Sequence, residues 1–327
     1  MSILLVVIGC SLPIGIDVSG PHLSPIPKRD IVFQVYTSWK DERSGELGFV
    51  NQDGSGKTII SPAREGYYKG YIVRAPFFIN GIFGFLVNNV PYVRYGGLLT
   101  MFYQGEVLPC NFTLAWQPTP VGNNGLFMGK YLWDKDGGVV LFRPLESGCP
   151  SQNLWSAEEI QEMKVIHITG FHTREALLLT GRQAYVWDIS ERRFQHLAWL
   201  PKGCVGELSP DDRRLACLIK KPSESTFTTN ILVQVWDMEN HQMQRYHFIP
   251  AALIPNYTYP ISVSWSPNSD ALVYHRCIKP NMENPLACEE KGYDNLGIYI
   301  WDLETNEERL VTTGGVFPYW INWGSSP

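Results

Sequence analysis

The sequence predicts an all-β fold assembled from repeated four-stranded sheets, and two patterns carry this prediction. The first is a strand that ends in Trp-Asp and leads into a polar turn, at residues 184–193, 233–242 and 298–307. The second is a Ser-Pro turn between two apolar segments, at residues 204–217 and 261–274. Proline fixes φ and a neighbouring Asp or Asn bonds its own backbone, so both Ser-Pro segments predict tight turns. Such internal repetition is typical of stacked supersecondary units.

Combined in chain order, the two patterns give a first strand, a turn, a second strand, a loop, a third strand, a turn and a fourth strand. We name these strands a, b, c and d. Four antiparallel strands in this order form one blade of a β-propeller. Candidate a strands predict six blades and lie at residues 70–76, 112–118, 165–171, 204–210, 261–267 and 318–324. A seven-bladed propeller, with residues 77–93 divided differently, is the alternative.

The two ends of the chain complement each other. The last candidate a strand, 318–324, has only three residues after it, and the N-terminal part offers three strands that lack a first one. These three strands are predicted at residues 31–36, 47–50 and 57–60. We therefore expect the ring to close by pairing of the N-terminal strands with the C-terminal strand, which removes exposed sheet edges.

The repeats resemble those of TolB-like and WD40-type propellers, which carry Trp-Ser-Pro-Asp-Gly and a following strand that ends in Asp. The matching residues here are Trp265-Ser266-Pro267-Asn268, and Asp53-Gly54-Ser55-Gly56 is similar to the c–d turn of TolB-like repeats. The resemblance is clearest over residues 200–324. It implies an interaction function and no named reaction.

The N-terminal ten residues form an apolar run that ends in Val7-Ile8-Gly9-Cys10 and precedes a segment rich in Pro, Gly and Ser. This arrangement resembles a bacterial lipoprotein signal. The resemblance implies lipidation of Cys10, a signal and tether over residues 1–28, and a single propeller domain over 29–327. An extracytoplasmic protein held to the membrane only by a lipid anchor is therefore expected. The alternatives are a start codon upstream of Met1, and a buried β-strand in a cytosolic protein with unmodified Cys10.

Six cysteines follow Cys10, and an even number suits an oxidising compartment. Cys277 and Cys288 are the best disulfide candidates because they lie in one polar, Pro-rich segment. Cys204 and Cys217 are predicted on neighbouring strands. Free buried thiols are the alternative for Cys204 and Cys217 and for the remaining cysteines.

Charge and motifs exclude several classes of function. A net charge of −5 without any basic run argues against nucleic acid as a partner. Gly54–Thr58 lacks the first glycine of a phosphate-binding loop, the segment from Asp134 lacks a carboxylate at the twelfth calcium position, and the histidines lack zinc spacing. No cofactor or metal is therefore expected. No nucleophile elbow occurs either, so we favour a binding protein over an enzyme.

The predicted loops differ in length according to the end of the blades at which they lie. The a–b and c–d turns are short, whereas all the long segments are b–c and d–a connections, which meet at the opposite end. Insertions on one face of a repeat array mark its binding face. We expect a protein, peptide or glycan ligand there, contacted by the aromatic residues Trp39, Tyr67, Tyr68, Tyr92, Tyr95, Trp155, Tyr257, Tyr259 and Tyr293. The alternative is a glycan- or peptide-active hydrolase or lyase with carboxylates in the central channel.

Overall fold

A computed structural model gives the architecture, and the secondary-structure elements of the residues that it describes are β-strands joined by turns. The described residues are 26–35, 46–60, 72–79, 82–88, 97–103, 106–107, 112–114, 119–121, 125–130, 138–142, 151–156, 165–171, 175–180, 184–188, 193–221, 230–249, 263–278 and 295–321. Between residues 72 and 194 the structure describes only the backbone, except at Gly84 and residues 184–186, whose burial is described as well. Within these ranges, no helix is long and apolar enough to cross a bilayer.

Three four-stranded antiparallel sheets follow one another in the second half of the chain, each with its strands in chain order. Sheet III contains β13 (Val165–Phe171), β14 (Glu175–Thr180), β15 (Ala184–Asp188) and β16 (Arg193–His196). Sheet IV contains β17 (Val205–Leu208), β18 (Arg214–Lys221), β19 (Asn230–Asp237) and β20 (Gln242–Ile249). Sheet V contains β21 (Ser264–Trp265), β22 (Ala271–Cys277), β23 (Leu296–Asp302) and β24 (Glu308–Thr313). These are the a, b, c and d strands that the repeats predict.

Sheet I joins the two ends of the chain in the order β25-β1-β2-β3. Its strands are β1 (Ile31–Val35), β2 (Leu47–Val50), β3 (Thr58–Ile60) and β25 (Gly315–Trp320). The predicted pairing of N-terminal strands with a C-terminal strand is therefore present, although β25 begins three residues before the predicted 318–324. The register shifts between Val32 and Gln34. Pro318, which has no N–H to donate, lies opposite this irregularity, where the ladder is already interrupted.

Sheet II departs from the prediction of two separate units in residues 70–156. It is one nine-stranded sheet in which β8 pairs with both β6 and β10. Of the predicted a strand 112–118 the structure describes β8 at residues 112–114, and a further strand, β9, follows at residues 119–121 and pairs with β10. The strands of sheet II are β4 (Ile72–Ile79), β5 (Ile82–Asn88), β6 (Gly97–Tyr103), β7 (Glu106–Val107), β8 (Phe112–Leu114), β9 (Thr119–Val121), β10 (Gly125–Lys130), β11 (Gly138–Phe142) and β12 (Ser151–Ser156).

Consecutive sheets pack face to face through apolar side chains. Leu215 and Met238 of sheet IV pack with Val186 of sheet III, and Val233 packs with Trp301 of sheet V. Sheet V in turn packs against sheet I through a cluster that includes Phe33. The a strands also contact one another in chain order: β9 with β13, β13 with β17, β17 with β21, β21 with β25, and β25 with β4. The sheets are thus stacked with their a strands on one common side.

The repeat motifs form the turns that the sequence predicts. In the first Ser-Pro turn the Arg214 N–H donates to Ser209 Oγ over 2.9 Å, and in the second the Ala271 N–H donates to Ser266 Oγ over the same distance. Asp302 ends β23 and accepts the N–H groups of Glu304 and Thr305 at 2.9 and 2.8 Å. Asp237 makes the equivalent bonds after β19. These recurrent Asp side chains therefore act in turns.

Two disulfides involve described cysteines. Cys204 is bonded to Cys217. Cys217 lies on β18, whereas Cys204 directly precedes the paired strand β17, one residue short of the predicted placement on neighbouring strands. Cys277 is disulfide-bonded as well. Cys288, its predicted partner, lies outside the described residues, as does Cys10.

Candidate functional site

The charge of one polar side chain on an a strand affects another polar side chain on an a strand of a sheet that is not adjacent. Glu207 lies on β17 of sheet IV, and Tyr319 lies on β25 of sheet I. Burial raises the pKa of Tyr319, and the nearby charge of Glu207 raises it further. The strand β21 of sheet V contacts both β17 and β25, so the two residues belong to a strands on either side of β21. We call Glu207 and Tyr319 the inner pair.

Burial alone raises the pKa of Glu207 to about 8. Glu207 as a residue is partly exposed, although protein surrounds its carboxyl group closely. A carboxyl group in these surroundings is mostly protonated at neutral pH and can donate a hydrogen bond. Tyr319 also keeps its proton, so the inner pair is uncharged in the absence of a ligand.

The β17 backbone is held in place beside this pair. The Trp265 Nε1–H donates to the carbonyl oxygen of Glu207 over 2.8 Å, which links β21 to β17. The Trp320 N–H donates to Ser264 Oγ over 3.2 Å, which links β25 to β21. Three neighbouring a strands are thereby fixed relative to one another. The Glu207 carboxyl group is consequently presented from a rigid part of the fold.

The inner pair does not have the composition of a glycosidase site. Glycoside hydrolysis uses two carboxyl groups that flank the scissile bond. Over the described residues of β17, β21 and β25, Glu207 is the only acidic residue. No group of three His, Cys, Asp or Glu side chains arranged to hold a metal ion occurs in the described part of the chain. The described residues of β17, β21 and β25 thus contain one carboxyl group, that of Glu207, and two hydroxyl-bearing side chains, Tyr319 and Ser264.

A second polar cluster connects sheets IV and V at their outer strands. Glu308 on β24 accepts two hydrogen bonds from Arg276, at 2.9 Å from Nε and 2.6 Å from Nη2. The Tyr274 hydroxyl also donates to Glu308, and His247 of β20 lies 2.9 Å from that hydroxyl. The Arg276 guanidinium stacks 3.9 Å from the ring centre of Tyr299. This group of five residues is called the outer cluster.

Charge complementarity explains the ionisation of the outer cluster. Burial acts to raise the pKa of Glu308, but hydrogen bonds from His247, Arg276 and Tyr274 hold it well below its usual range. Burial and then the Glu308 charge raise the pKa of Tyr274. Glu308 is therefore a carboxylate whose two oxygens both accept hydrogen bonds, and the cluster serves to join two sheets.

His275 is a buried histidine that supports the C-terminal strand. The Phe317 N–H donates to its Nδ1 over 3.2 Å, and the two rings meet edge to face at 5.1 Å. Burial lowers the pKa of His275 to about 4. The ring is therefore neutral at physiological pH, with Nδ1 as acceptor, and it ties β22 to β25.

The predicted aromatic site lies mostly beyond the described residues. Trp155 is the exception: its backbone belongs to β12, opposite Val139 of β11, and not to the loop in which the sequence predicted it. The other predicted residues lie outside the described ranges, namely Trp39, Tyr67, Tyr68, Tyr92, Tyr95, Tyr257, Tyr259 and Tyr293. Sequence reasoning missed the inner pair. The sequence does contain one indication of Glu207: when the repeats are aligned on their Ser-Pro turns, Glu207 occupies the position at which the next repeat has Ser264.

Comparison with solved structures identifies the fold. The crystal structure of TolB from Acinetobacter baumannii superposes with a TM-score of 0.61 and 14% identity, and the match covers 90% of this chain and 67% of that one. Weaker matches are the propeller domain of the Trilobed protease from Pyrococcus furiosus (TM-score 0.40, 8% identity, 74% and 71% coverage) and the WD40 repeats of RRP9 (0.41, 10%, 90% and 86%). No protein-family model matches the sequence, and no curated protein does. The similarity to TolB confirms the predicted TolB-like β-propeller fold.

Proposed function

We propose that the protein is a non-catalytic binding propeller that holds a protein, peptide or other envelope ligand at one end of its sheets. The observation that carries this proposal is the unequal length of the connections. In sheets IV and V, compact turns at residues 209–213, 238–241, 266–270 and 303–307 lie at one end. At the opposite end the connections span 222–229, 250–263 and 278–295. A face that carries the insertions of a repeat array is suited to recognition, because rigid sheets hold variable loops.

Six blades are the arrangement we propose for the ring over residues 29–327. Sheets I, III, IV and V supply four of them, and the contacts between successive a strands support a circular order. Sheet II supplies the other two, divided at β8, where its pairing with β10 consists of one residue pair. Sheet I closes the ring by joining β25 to β1.

Export and a lipid anchor at Cys10 belong to the same proposal, with residues 1–28 as signal and tether. The disulfide between Cys204 and Cys217 supports export, because disulfides persist in oxidising compartments and are rare in reducing ones. Mass spectrometry of the mature protein tests the anchor. A diacylated Cys10 as the first residue is the expected result, and an intact, unmodified Met1 contradicts it.

Capture of partners by the full chain carrying Cys10→Ser, which stays soluble, tests the binding face. The bait is incubated with envelope extract of the source organism and the retained proteins are identified. Tyr257→Ala combined with Tyr259→Ala, in the connection between sheets IV and V, should reduce capture at least tenfold. The matched control is Tyr246→Ala on β20, an aromatic side chain that is 64% exposed and lies away from the long connections.

The outcome is interpreted with thermal unfolding of each variant. Reduced capture by the double variant with unchanged unfolding temperature, and full capture by Tyr246→Ala, supports a site on the long connections. Equal capture by the Cys10→Ser bait, by the double tyrosine variant and by Tyr246→Ala contradicts a site on the long connections. Loss of capture with Tyr246→Ala alone would locate binding on the outer strand β20.

A further inference from the structure

The outer edge of sheet IV is long and apolar. β20 has eight residues, whereas the outer strands β3, β16 and β24 of sheets I, III and V have three, four and six. The described side chains include five that are large, apolar and exposed, and three of these lie on β20, namely Met243, Tyr246 and Phe248. Among the described strands, β20 pairs with β19 alone, so its outer edge presents backbone N–H and C=O groups. An edge of this kind is a template for a further strand.

The two faces of β20 differ in what lies against them. Arg245 and His247 point to sheet V: the Arg245 Nε–H donates to the Leu303 carbonyl oxygen over 3.3 Å, and the His247 ring stacks at 5.0 Å on an indole ring of that sheet. Successive side chains of a strand lie on opposite faces, so Tyr246 and Phe248 point away from sheet V. They remain 64% and 49% exposed. These two rings are therefore available to a partner.

The part of this edge that can accept a further strand without interruption is residues 245–249. They pair with residues 231–235 of β19 in a continuous register, whereas the register shifts on their N-terminal side, just before Arg245. Such a shift interrupts an edge. On the other side Pro250 follows in the sequence, and it has no N–H with which to extend a ladder. We call residues 245–249 the edge segment.

A second copy of the edge segment pairs with it over its full length in one antiparallel register, the one centred on His247. In antiparallel pairing, the N–H and C=O groups that point outward from one strand bond those that point outward from the other. Two identical edges meet this condition when the two-fold axis passes beside a residue, which here is the middle residue of the segment. Tyr246 then lies opposite Phe248 of the second copy, and Arg245 lies opposite Ile249. Aromatic pairs at such positions stabilise sheets.

The same register avoids opposition of like charges. Arg245 faces an apolar residue, and the edge segment has no other permanently charged side chain. His247 lies opposite its own copy, but its Nε2 is 3.3 Å from the Glu308 carboxylate of the same chain, which compensates a proton on the ring. Centring on Arg245 instead would set two guanidinium groups against each other, and like charges directly opposite are destabilising. The edge segment is therefore complementary to itself.

We propose that two copies of this chain associate through the edge segment, as antiparallel strands related by a two-fold axis at His247. The two four-stranded sheets IV then form one continuous eight-stranded sheet, and the assembly is closed by symmetry, as in most homo-oligomers. The pairing supplies partners for the outward N–H and C=O groups and covers Tyr246 and Phe248 of both copies. It is independent of the ligand proposed above, and it presents two long-connection faces to that ligand.

Sedimentation equilibrium of the full chain carrying Cys10→Ser tests the association. The edge segment is short, so the interface is small and the dimer should be reversible; concentrations of about 1 to about 100 μM are compared because small interfaces are weak. A rise in average mass toward that of a dimer is the expected result. A parent chain that stays monomeric at the highest concentration overturns the proposal.

Two substitutions test the register. Tyr246→Lys and Phe248→Glu each put one charge into the edge segment at an exposed side chain, and each should weaken the dimer at least tenfold. An equal mixture of the two variants should associate again, because the introduced ammonium group lies opposite the introduced carboxylate and the remaining Phe248 lies opposite the remaining Tyr246. Leu310→Lys on β24, at an apolar side chain that is 44% exposed, is the matched control and should leave the dimer unchanged.

Three results would contradict the pairing. Dimers that survive both single substitutions overturn the proposal, as does a mixture that stays monomeric. Loss of the dimer with Leu310→Lys does so too, since it indicates association through exposed apolar side chains in general. Thermal unfolding of each variant should match that of the parent chain, which separates a lost interface from a lost fold.

The dimer and the proposed ligand-binding face are tested separately. A monomeric Tyr246→Lys that still captures the envelope partner shows that the ligand does not need β20, and both the dimer and the binding face stand. Loss of capture with Tyr246→Lys from a parent chain that is itself monomeric shows that β20 binds a different protein, which overturns the dimer. A dimeric parent chain whose Tyr257→Ala with Tyr259→Ala variant captures fully supports the dimer and contradicts the binding face.

Discussion

Arg276 on β22 and Glu308 on β24 form a two-point ion pair across β23, with nitrogen–oxygen distances of 2.9 and 2.6 Å. The carboxylate side chain is only 19% exposed, and it also accepts from Tyr274. His247 of β20, the last strand of the preceding sheet, lies 3.3 Å from it. One carboxylate thus links strands of two sheets, in addition to the apolar packing and the Trp265–Glu207 backbone bond between them.

Glu308→Gln should lower the free energy of unfolding at pH 7 by about 2 kcal/mol, since it leaves the partly buried Arg276 charge without its partner. The pKa of Glu308 is lower in the folded than in the unfolded chain. Its stabilising effect is therefore present above the unfolded value and lost as the pH falls below about 4.5. Urea unfolding of both proteins between pH 7 and pH 3 should show that the difference in their free energies of unfolding becomes smaller as the pH falls. Glu304→Gln in the neighbouring turn is the control. A difference in free energy of unfolding that stays the same from pH 7 to pH 3 would contradict stabilisation by the ionised Glu308.

Glu207→Gln should stabilise the protein at neutral and alkaline pH. The folded pKa of Glu207, about 8, lies above its unfolded value, so the stability of the parent chain is complete below pH 4.5 and declines as the pH rises to 8. Glutamine does not ionise and avoids this decline. Glu207 as a residue is partly exposed, so we expect a gain on the order of 2 kcal/mol at pH 7. Urea unfolding at pH 5 should show almost no difference in stability between Glu207→Gln and the parent chain. If Glu207→Gln is less stable than the parent chain at pH 8, the raised pKa of Glu207 is wrong.

The Ser-Pro and Trp-Asp motifs were sufficient to predict the turns of sheets IV and V, because these turns are determined locally. Ser209 and Ser266 make the same bonds within five residues of themselves, so their geometry follows from nearby sequence. The merging of residues 72–156 into one sheet was not predictable. It depends on β8 reaching both β6 and β10, which are contacts between segments without a local signal.

The inner pair shows why the site was harder to predict than the fold. Glu207 and Tyr319 are far apart in sequence, and the electrostatic effect of one on the other depends on how three sheets pack. The predicted Trp155 loop failed for a related reason: residues 151–156 extend the edge of sheet II by pairing with β11. A polar exception within a repeat is visible in the sequence, but its neighbours are visible only in the structure.

Removal of the Cys204–Cys217 disulfide should destabilise the protein by about 3 kcal/mol, because the bond closes a short loop that the unfolded chain otherwise leaves free. Cys204→Ser combined with Cys217→Ser tests this by thermal unfolding without reductant. The parent chain in dithiothreitol should fall to a similar stability or below it, since Cys277 is also disulfide-bonded. An unfolding temperature equal to that of the oxidised parent would show that the bond contributes nothing.

Gly206→Ala should be among the most destabilising single substitutions on β17. A Cβ at this position would overlap the carbonyl oxygen of Ala216 on the paired strand β18, and a backbone atom cannot move aside as a flexible side chain can. Such overpacking in a well-packed region costs about 3 kcal/mol. Gly203→Ala is the matched control: its φ of +75° is strained for alanine, but no atom lies within 4 Å of the added carbon. It should therefore cost only about 1 kcal/mol. Urea unfolding measures the stability of both variants. Equal losses of free energy of unfolding would mean that the close approach of β17 to β18 is not the reason for a glycine at position 206.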